Sequence, residues 1–470
     1  MDIHDHLSSP FKLCPKCKGN KYGVFSVMPL PDTRISVLIR LCANCRFHEQ
    51  SKLPEIKKKI IYLDQFVLSN LMFVANPKSK KHKKAMEDKY WMQVFEKLLK
   101  LIKYNLIICP YSDIHIEESI TAAEFNDLQF FQKILANKVA FKHHNLVQDA
   151  QVAKHFENYL KGEQDATIFL NEQDCFDMDP NCWYFRAKAT DDFRLDFPLT
   201  EEGVSSVRKV RDDSHTNLTD HVYDRWREDK KSFDDLVWEE AQDFGKEKLR
   251  WFGRYVKYIK KLMEGKALEK MSKPPAVDLF EKLYKIANAH SIGEDKILST
   301  IMDCLNSKTI LNVPCVRLSA TYFASLARKL KEGGNNPSRG MISDSESLST
   351  FLPYCDAVFT DKENDNLFGR EPLKSEKEKF NTNIFSKRNI TKFIDFLEDI
   401  WSQADNSHMA LVKDIYDPNW LTSTVINFDT GKLNACLDNH QKISHGLVWP
   451  NFRLLIFPPL QLLKLLKDPA

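Results

Sequence analysis

The sequence predicts an α/β chain: a parallel-sheet core, interrupted by a large and mainly helical insertion, and preceded by a small module built on four cysteines. Three observations predict it. Two Cys-x-x-Cys pairs, Cys14/Cys17 and Cys42/Cys45, stand near the amino end. Strand-like runs that stop on a single aspartate, "KIIYLD" and "DAVFTD", occur on either side of a long gap. That gap is charged and helix-periodic, with few segments that read as strands.

Composition bounds the rest. A chain of 470 residues with 43% hydrophobic and 11% aromatic side chains can bury the cores of about two or three domains. Lys and Arg number 68 against 65 Asp and Glu, a net of +3, so any nucleic-acid surface must be a local patch. The start, "MDIHDHLSSP", lacks the basic-then-apolar layout of a signal peptide. No apolar run approaches the ~20 residues that span a bilayer. The apolar tail "FRLLIFPPLQLLKLL" (452–466) is broken by two prolines and reads as core or an interface. Eleven cysteines with one tight constellation indicate a reducing compartment and a metal site rather than a disulfide framework. A cytoplasmic protein with no membrane partner is expected.

The first module is residues 1–55. Each Cys-x-x-Cys pair offers two thiolates from a tight turn, and two such turns complete a tetrahedral four-sulfur shell for Zn2+. Between the pairs, "YGVFSVMPL" and "RISVLIRL" are β-prone, and Pro29, Pro31 and Asp32 mark a turn. The module resembles a zinc ribbon. Four protein ligands leave no open position, so the zinc is expected to be structural. His48, just past the second pair, is a spare ligand candidate.

The first half of the core, residues 56–125, opens with the strand that delivers Asp64. A helix begins at once, so Asp64 reads either as a helix N-cap or as a ligand at a strand's carboxyl end. Next, "NPKSKKHKK" (76–84) carries Lys78, Lys80, Lys81, Lys83 and Lys84. It is either a solvated loop or a phosphate-attracting one beside the first carboxylate. "WMQVFEKLLKLI" (91–102) places Trp91, Val94, Phe95, Leu98, Leu99 and Ile102 at helical spacing, and "NLIICP" (105–110) is a short buried strand. Strand, helix, strand implies a parallel pair. "CPYSDIHIEESI" (109–120) then starts a helix carrying Asp113, His115, Glu117 and Glu118.

Residues 126–310 form the helical insertion, and "KEGGNNPSRG" (331–340) is a loop. The second half of the core, residues 311–400, contains "MISDSESLSTFLPYCDAVFTDKENDNLF", with Asp344 at a helix start and Asp361 ending a strand. Asp356 precedes that strand and is an accessory candidate. Residues 401–470 are a C-terminal extension without an assigned role.

These acids, in this order, resemble the PIN-like nuclease domain over roughly residues 58–125 and 310–400. In that family an Asp ends the first strand, a Glu lies on a helix after a proline-closed strand, an Asp opens a later helix, and a Thr-x-Asp-like carboxylate ends the next strand. Asp64, Asp344 and Asp361 match the first, third and fourth acids, although Asp361 follows Thr360 directly. For the second acid, Glu117 and Glu118 point about 100° apart on a helix, so only one can face the site. Glu118 is preferred because His115 shares its face. The insertion between the second and third acids departs from a minimal core.

The resemblance implies a metal-dependent endonuclease, in particular an endoribonuclease. Asp64, Glu118, Asp344 and Asp361 would hold Mg2+ or Mn2+, with Glu117, Asp356 and His115 as accessory groups, and cleavage would leave a 3′-hydroxyl and a 5′-phosphate. RNA is the preferred partner over DNA, and the ribbon or the insertion could recruit a protein. Physical chemistry points the same way. Converging carboxylates repel one another unless cations neutralise them, and carboxylate ligands select hard cations. No Ser/His/Asp or Cys/His set and no Gly-rich phosphate loop stands in the chain. The alternatives are a DNA nuclease, or a non-catalytic binding or regulatory protein that keeps the fold. His143, His144, His440 and His445 read as structural or surface, Cys175 and Cys182 as isolated, and Trp183, Tyr184 and Phe185 beside Arg186 as core or a base-stacking patch.

Overall fold

A computed structural model describes residues 7–29, 35–120, 122–163, 165–184, 186–187, 222–264, 273–338, 340–426 and 428. The chain divides into two compact units. The first comprises residues 1–144, 171–222 and 338–437; the second comprises 145–170, 223–337 and 438–470. The bounds expected for the insertion were 126 and 310. Pro31, Asp32, Phe185, His440, His445 and the 452–466 tail lie outside the described residues.

The first unit opens with antiparallel strands β1 (Ser8–Lys12), β2 (Tyr22–Pro29), β3 (Ser36–Cys42) and β4 (His48–Lys52), joined in that order. β2 and β3 pair from Tyr22 opposite Cys42 to Pro29 opposite Ser36. This sheet is held to the rest of the unit by buried polar ties. Arg40 is almost fully buried and donates to the Asp414 backbone carbonyl at 2.6 Å and to its carboxylate at 3.1 Å.

A second sheet contains β5 (Lys59–Leu63) and β6 (Ile107–Ile108). The amphipathic segment expected over 91–102 lies within the Lys89–Lys103 helix, and the six side chains of its expected stripe, Trp91, Val94, Phe95, Leu98, Leu99 and Ile102, are all buried. At ~1.5–3 kcal/mol for each fully buried side chain, burial outweighs the few tenths by which helix propensities differ. That helix and the Gln65–Ala75 helix connect β5 to β6, a parallel crossover as the alternation implied. β7 (Arg186–Ala187) joins the first sheet against β2. Trp183 and Tyr184, just before it, are buried: the Trp183 indole donates to the Pro54 carbonyl and the Tyr184 N–H to the Asn105 side chain. They are core rather than a stacking surface.

β8 (Ala357–Phe359) and β9 (Asn383–Phe385) complete the parallel sheet in the order β6-β5-β8-β9. β5 is therefore flanked by β6, which follows it in sequence, and by β8, which arrives nearly three hundred residues later. The strand order reverses at this pair. In open α/β sheets, crevices for ligands form at the carboxyl ends of such strands.

Helices Asn406–Ile415 and Pro418–Thr422 also pack in the first unit, with Val412, Ile415, Tyr416 and Trp420 in its core. There the Lys103 ammonium is buried against the Trp420 and Ser423 carbonyls. The second unit is helical. It is built on the long Phe233–Met263 helix together with Pro275–Ala289, Glu294–Asn306 and Pro314–Lys331, around a core that includes Phe252, Phe280, Leu283 and Ile301. Among the described residues, no helix is long and apolar enough to cross a membrane.

Candidate functional site

The four cysteines converge. Their Sγ atoms all lie within 4.8 Å of one another, with Cys14–Cys45 at 3.6 Å and Cys17–Cys42 at 3.7 Å. A tetrahedron of 2.3 Å Zn–S bonds has edges of about 3.8 Å, so the thiolates fit zinc. The two turns are copies of each other. The Lys18 N–H donates to the Cys14 carbonyl and the Arg46 N–H to the Cys42 carbonyl. The N–H of each first cysteine reaches the carbonyl five residues on, at Gly19 and Phe47. Lys18 and Arg46 both sit at left-handed φ, 58° and 57°, as so tight a reversal requires. His48 begins β4 and is exposed, outside this group.

At the carboxyl end of the parallel pair, the β5–β8 ladder extends one step: the Asp64 N–H donates to the Phe359 carbonyl. This sets the Asp64 carboxylate beside the residues that follow β8. One Asp64 oxygen accepts from the Phe66 N–H at 3.4 Å, which caps the Gln65–Ala75 helix, and the other accepts from the Thr360 hydroxyl at 3.1 Å. Asp361 caps the Lys362–Phe368 helix by accepting from the Asn364 N–H at 2.7 Å. Asp344 is the fifth residue of the Gly340–Phe351 helix, a turn inside it rather than at its start, and is buried. The Asn364 amide donates to it at 2.8 Å.

The electrostatics tie these acids together. Burial, and then the charges of Asp64, Glu118 and Asp361, push the Asp344 carboxyl up to about 9. Burial and Asp361 push Asp64 up to about 6. Glu118 also acts on the buried Tyr62 phenol, with Asp64. Glu117 answers to a different set of charges: desolvation raises its carboxyl, and the charges acting on it are His144, Asp113 and Glu346. The four acids are not one of the groups whose ligand atoms all lie within 4.8 Å of one another among the described residues; those groups are the cysteines and Asp113/His143/His144.

The remaining candidates lie apart. Asp356 is at the amino end of β8, where its carboxylate accepts from the Ile60 N–H at 2.9 Å and pairs with Lys59 at 2.7 Å. It pins two strands at the end opposite to Asp361. His115 is buried and stacked on Tyr62 with ring centroids 4.7 Å apart, and its Nδ1 accepts from the Ser112 N–H in a capping box. Burial pushes its imidazole down to about 4, so it is a neutral core histidine. Lys78, Lys80, Lys81, Lys83 and Lys84 are all exposed. They begin where the eleven-residue Gln65–Ala75 helix ends, about 16 Å along the helix axis from Asp64.

Sequence reasoning missed three groups. Thr360 and Asn364 support Asp64 and Asp344; Asp361 signals a helix cap, but the cap uses the backbone N–H of Asn364, so it does not announce the side-chain amide that reaches Asp344. The third is Asp113 with His143 and His144, which can hold a metal ion. His144 Nδ1 lies 2.5 Å from Asp113 Oδ2 and its Nε2 lies 3.0 Å from Glu346 Oε1. Against its own burial, these two partners raise the His144 imidazole to about 10. No family model, curated protein or solved structure matches the chain significantly.

Proposed function

We propose that this chain is a metal-dependent endonuclease with a PIN-like core, acting on RNA in preference to DNA in the cytoplasm, with a structural zinc in its ribbon-like module. One observation carries the reading: buried Asp344 is hydrogen-bonded to Asn364, whose amide also reaches Thr360, the donor to Asp64 where the strand order reverses. Burial and the charges of Asp64, Glu118 and Asp361 raise the Asp344 carboxyl. Four carboxylates so placed destabilise one another, and a hard divalent cation offsets that repulsion.

The donor set fits Mg2+ or Mn2+, with Asp64, Glu118, Asp344 and Asp361 as the oxygen ligands. When bound, such an ion supplies charge neutralisation for an in-line displacement at phosphorus. The chain's own groups do the rest. Thr360 and Asn364 orient the Asp64 and Asp344 oxygens, and the two helix caps hold Asp64 and Asp361 at their strand ends. The exposed lysines of 78–84 attract a polyanion a helix length from the acids.

A non-catalytic binding protein on the same fold is the second reading. It is favoured by the absence of the four acids from the groups already within coordinating distance. The two readings separate in one assay, which offers labelled single-stranded RNA, duplex RNA and DNA with Mg2+ or Mn2+ to the wild type and to Asp344→Asn. Cleavage that needs both the metal and Asp344 is the expected result, and it names the substrate class. Cleavage unchanged in Asp344→Asn, or absent with every substrate while nucleic acid still binds, would overturn the nuclease reading.

A further inference from the structure

We propose that Asp113, His143 and His144 form a second metal centre, for a borderline dication of the zinc type, separate from both the four cysteines and the four carboxylates. Three features of the cluster point to it. The first is the donor set: two imidazoles and one carboxylate suit Zn2+ or Co2+ rather than Mg2+. The second is spacing. One ligand atom from each residue lies within 4.8 Å of the others, and His143 Nε2 stands 3.3 Å from Asp113 Oδ2. Bonds of 2.0–2.1 Å in a tetrahedron put donor atoms about 3.3 Å apart. His144 Nδ1 is closer to the same oxygen, at 2.5 Å, a proton-sharing distance. An ion taking the proton's place needs that pair to part by less than about 1 Å.

The third feature is independent of the first two. Histidines that bind metal through one nitrogen characteristically donate the other N–H to a carboxylate, which fixes the ring and its tautomer. His144 has this arrangement, its Nε2 lying 3.0 Å from Glu346 Oε1 while Nδ1 faces Asp113. His144 and Asp113 are largely buried, whereas the His143 side chain is 47% exposed and gives an ion its entry from solvent.

The placement gives the ion a role. Asp113 opens the Asp113–Ser119 helix, which carries Glu118, and Glu346 lies on the Gly340–Phe351 helix two residues after Asp344. An ion on His144 would therefore tie the helix bearing one acid to the helix bearing another. The proposal does not depend on the nuclease reading.

The test counts zinc on the full chain. The protein is loaded with Zn2+ in excess Mg2+, which keeps hard sites occupied, and freed of unbound metal before the bound zinc is measured. The wild type is expected to retain about two equivalents per chain, His143→Ala about one, and Asp344→Asn the same as wild type. One equivalent in the wild type, or no loss in His143→Ala, would overturn the proposal. So would a loss confined to Asp344→Asn, which would move the second ion to the carboxylates. A second readout needs no variant. With Co2+ in place of Zn2+, the wild type should show nitrogen–oxygen tetrahedral bands in addition to thiolate charge transfer, and thiolate bands alone would refute the second centre.

Discussion

Asp64 posed two readings, a helix cap and a ligand, and at the scale of one side chain the structure shows the cap and leaves the second oxygen on Thr360. A carboxylate has two oxygens, so one can cap a helix while the other turns to Thr360 and the neighbouring acids. Asn364 is as informative: it is fully buried, and its amide donates to both Asp344 and the Thr360 hydroxyl. If the nuclease reading holds, Asn364→Ala should lower metal-dependent cleavage by roughly 10- to 100-fold, the usual effect of removing a group that orients a ligand. Wild-type rates in that variant would separate Asn364 from the site. His155, in the second unit, makes a different prediction. Burial holds its imidazole down to about 4, against 6.5 for the free group. A depressed histidine favours the fold above pH 6.5, and that contribution is lost as pH falls toward 4, because the unfolded chain takes the proton first. By pH 5 the loss amounts to about 2 kcal/mol. Urea unfolding of His155→Phe should therefore show a flatter pH profile than the wild type between pH 7 and 5.

At the scale of elements, close approach decides what a position tolerates. Gly245 lies in the Phe233–Met263 helix, and a Cβ there would meet the Leu305 carbonyl oxygen at 2.8 Å. Alanine is better than glycine for a bare helix by about 1 kcal/mol. Here the backbone of a packed helix stands in the way, and overpacking costs about 1–3 kcal/mol. Gly245→Ala should lower the unfolding free energy; a gain would mean that the Leu305 segment yields easily. The paired cysteine turns make the opposite point, since each conformation is set by its own few residues. Each turn closes on its own backbone bonds, but each needs the other's thiolates to complete a metal shell. If the four thiolates hold zinc as proposed, Cys42→Ser should lose it, leaving β2 and β3 with a sheet but without their clasp.

Over the whole molecule, the first unit is assembled from distant segments. Arg40 in β3 is bonded to Asp414, a partner 374 residues away, and Lys103 to the carbonyls of Trp420 and Ser423. Such ties make the ribbon-like sheet part of the unit that carries the acids. If the cysteine turns hold the proposed zinc, a chelator should therefore lower the melting temperature of this unit, with destabilisation on the order of several kcal/mol. A melting curve unchanged by chelation would show that the cysteine turns are dispensable to it. Burial of the long-range aromatic pair Trp183 and Tyr184 belongs to this scale too: nothing in "WYF" distinguishes a core anchor from a base-stacking patch until the chain that covers it is known.

By itself the sequence determined the features whose physics is local. Two Cys-x-x-Cys turns, the apolar stripe from Trp91 to Ile102, and aspartates at the ends of β-prone runs are all written within a few residues. The parallel sheet followed because strands separated by helices must cross over. Only the tertiary structure decided which distant groups meet. It set Asp344 among the charges of Asp64, Glu118 and Asp361 and Glu117 among those of His144, Asp113 and Glu346, carried Asp356 to the far end of β8 from Asp361, and gathered Asp113 with His143 and His144. The physical reason is that periodicity sets which way a side chain faces along its own element, whereas the partner it faces depends on contacts hundreds of residues apart.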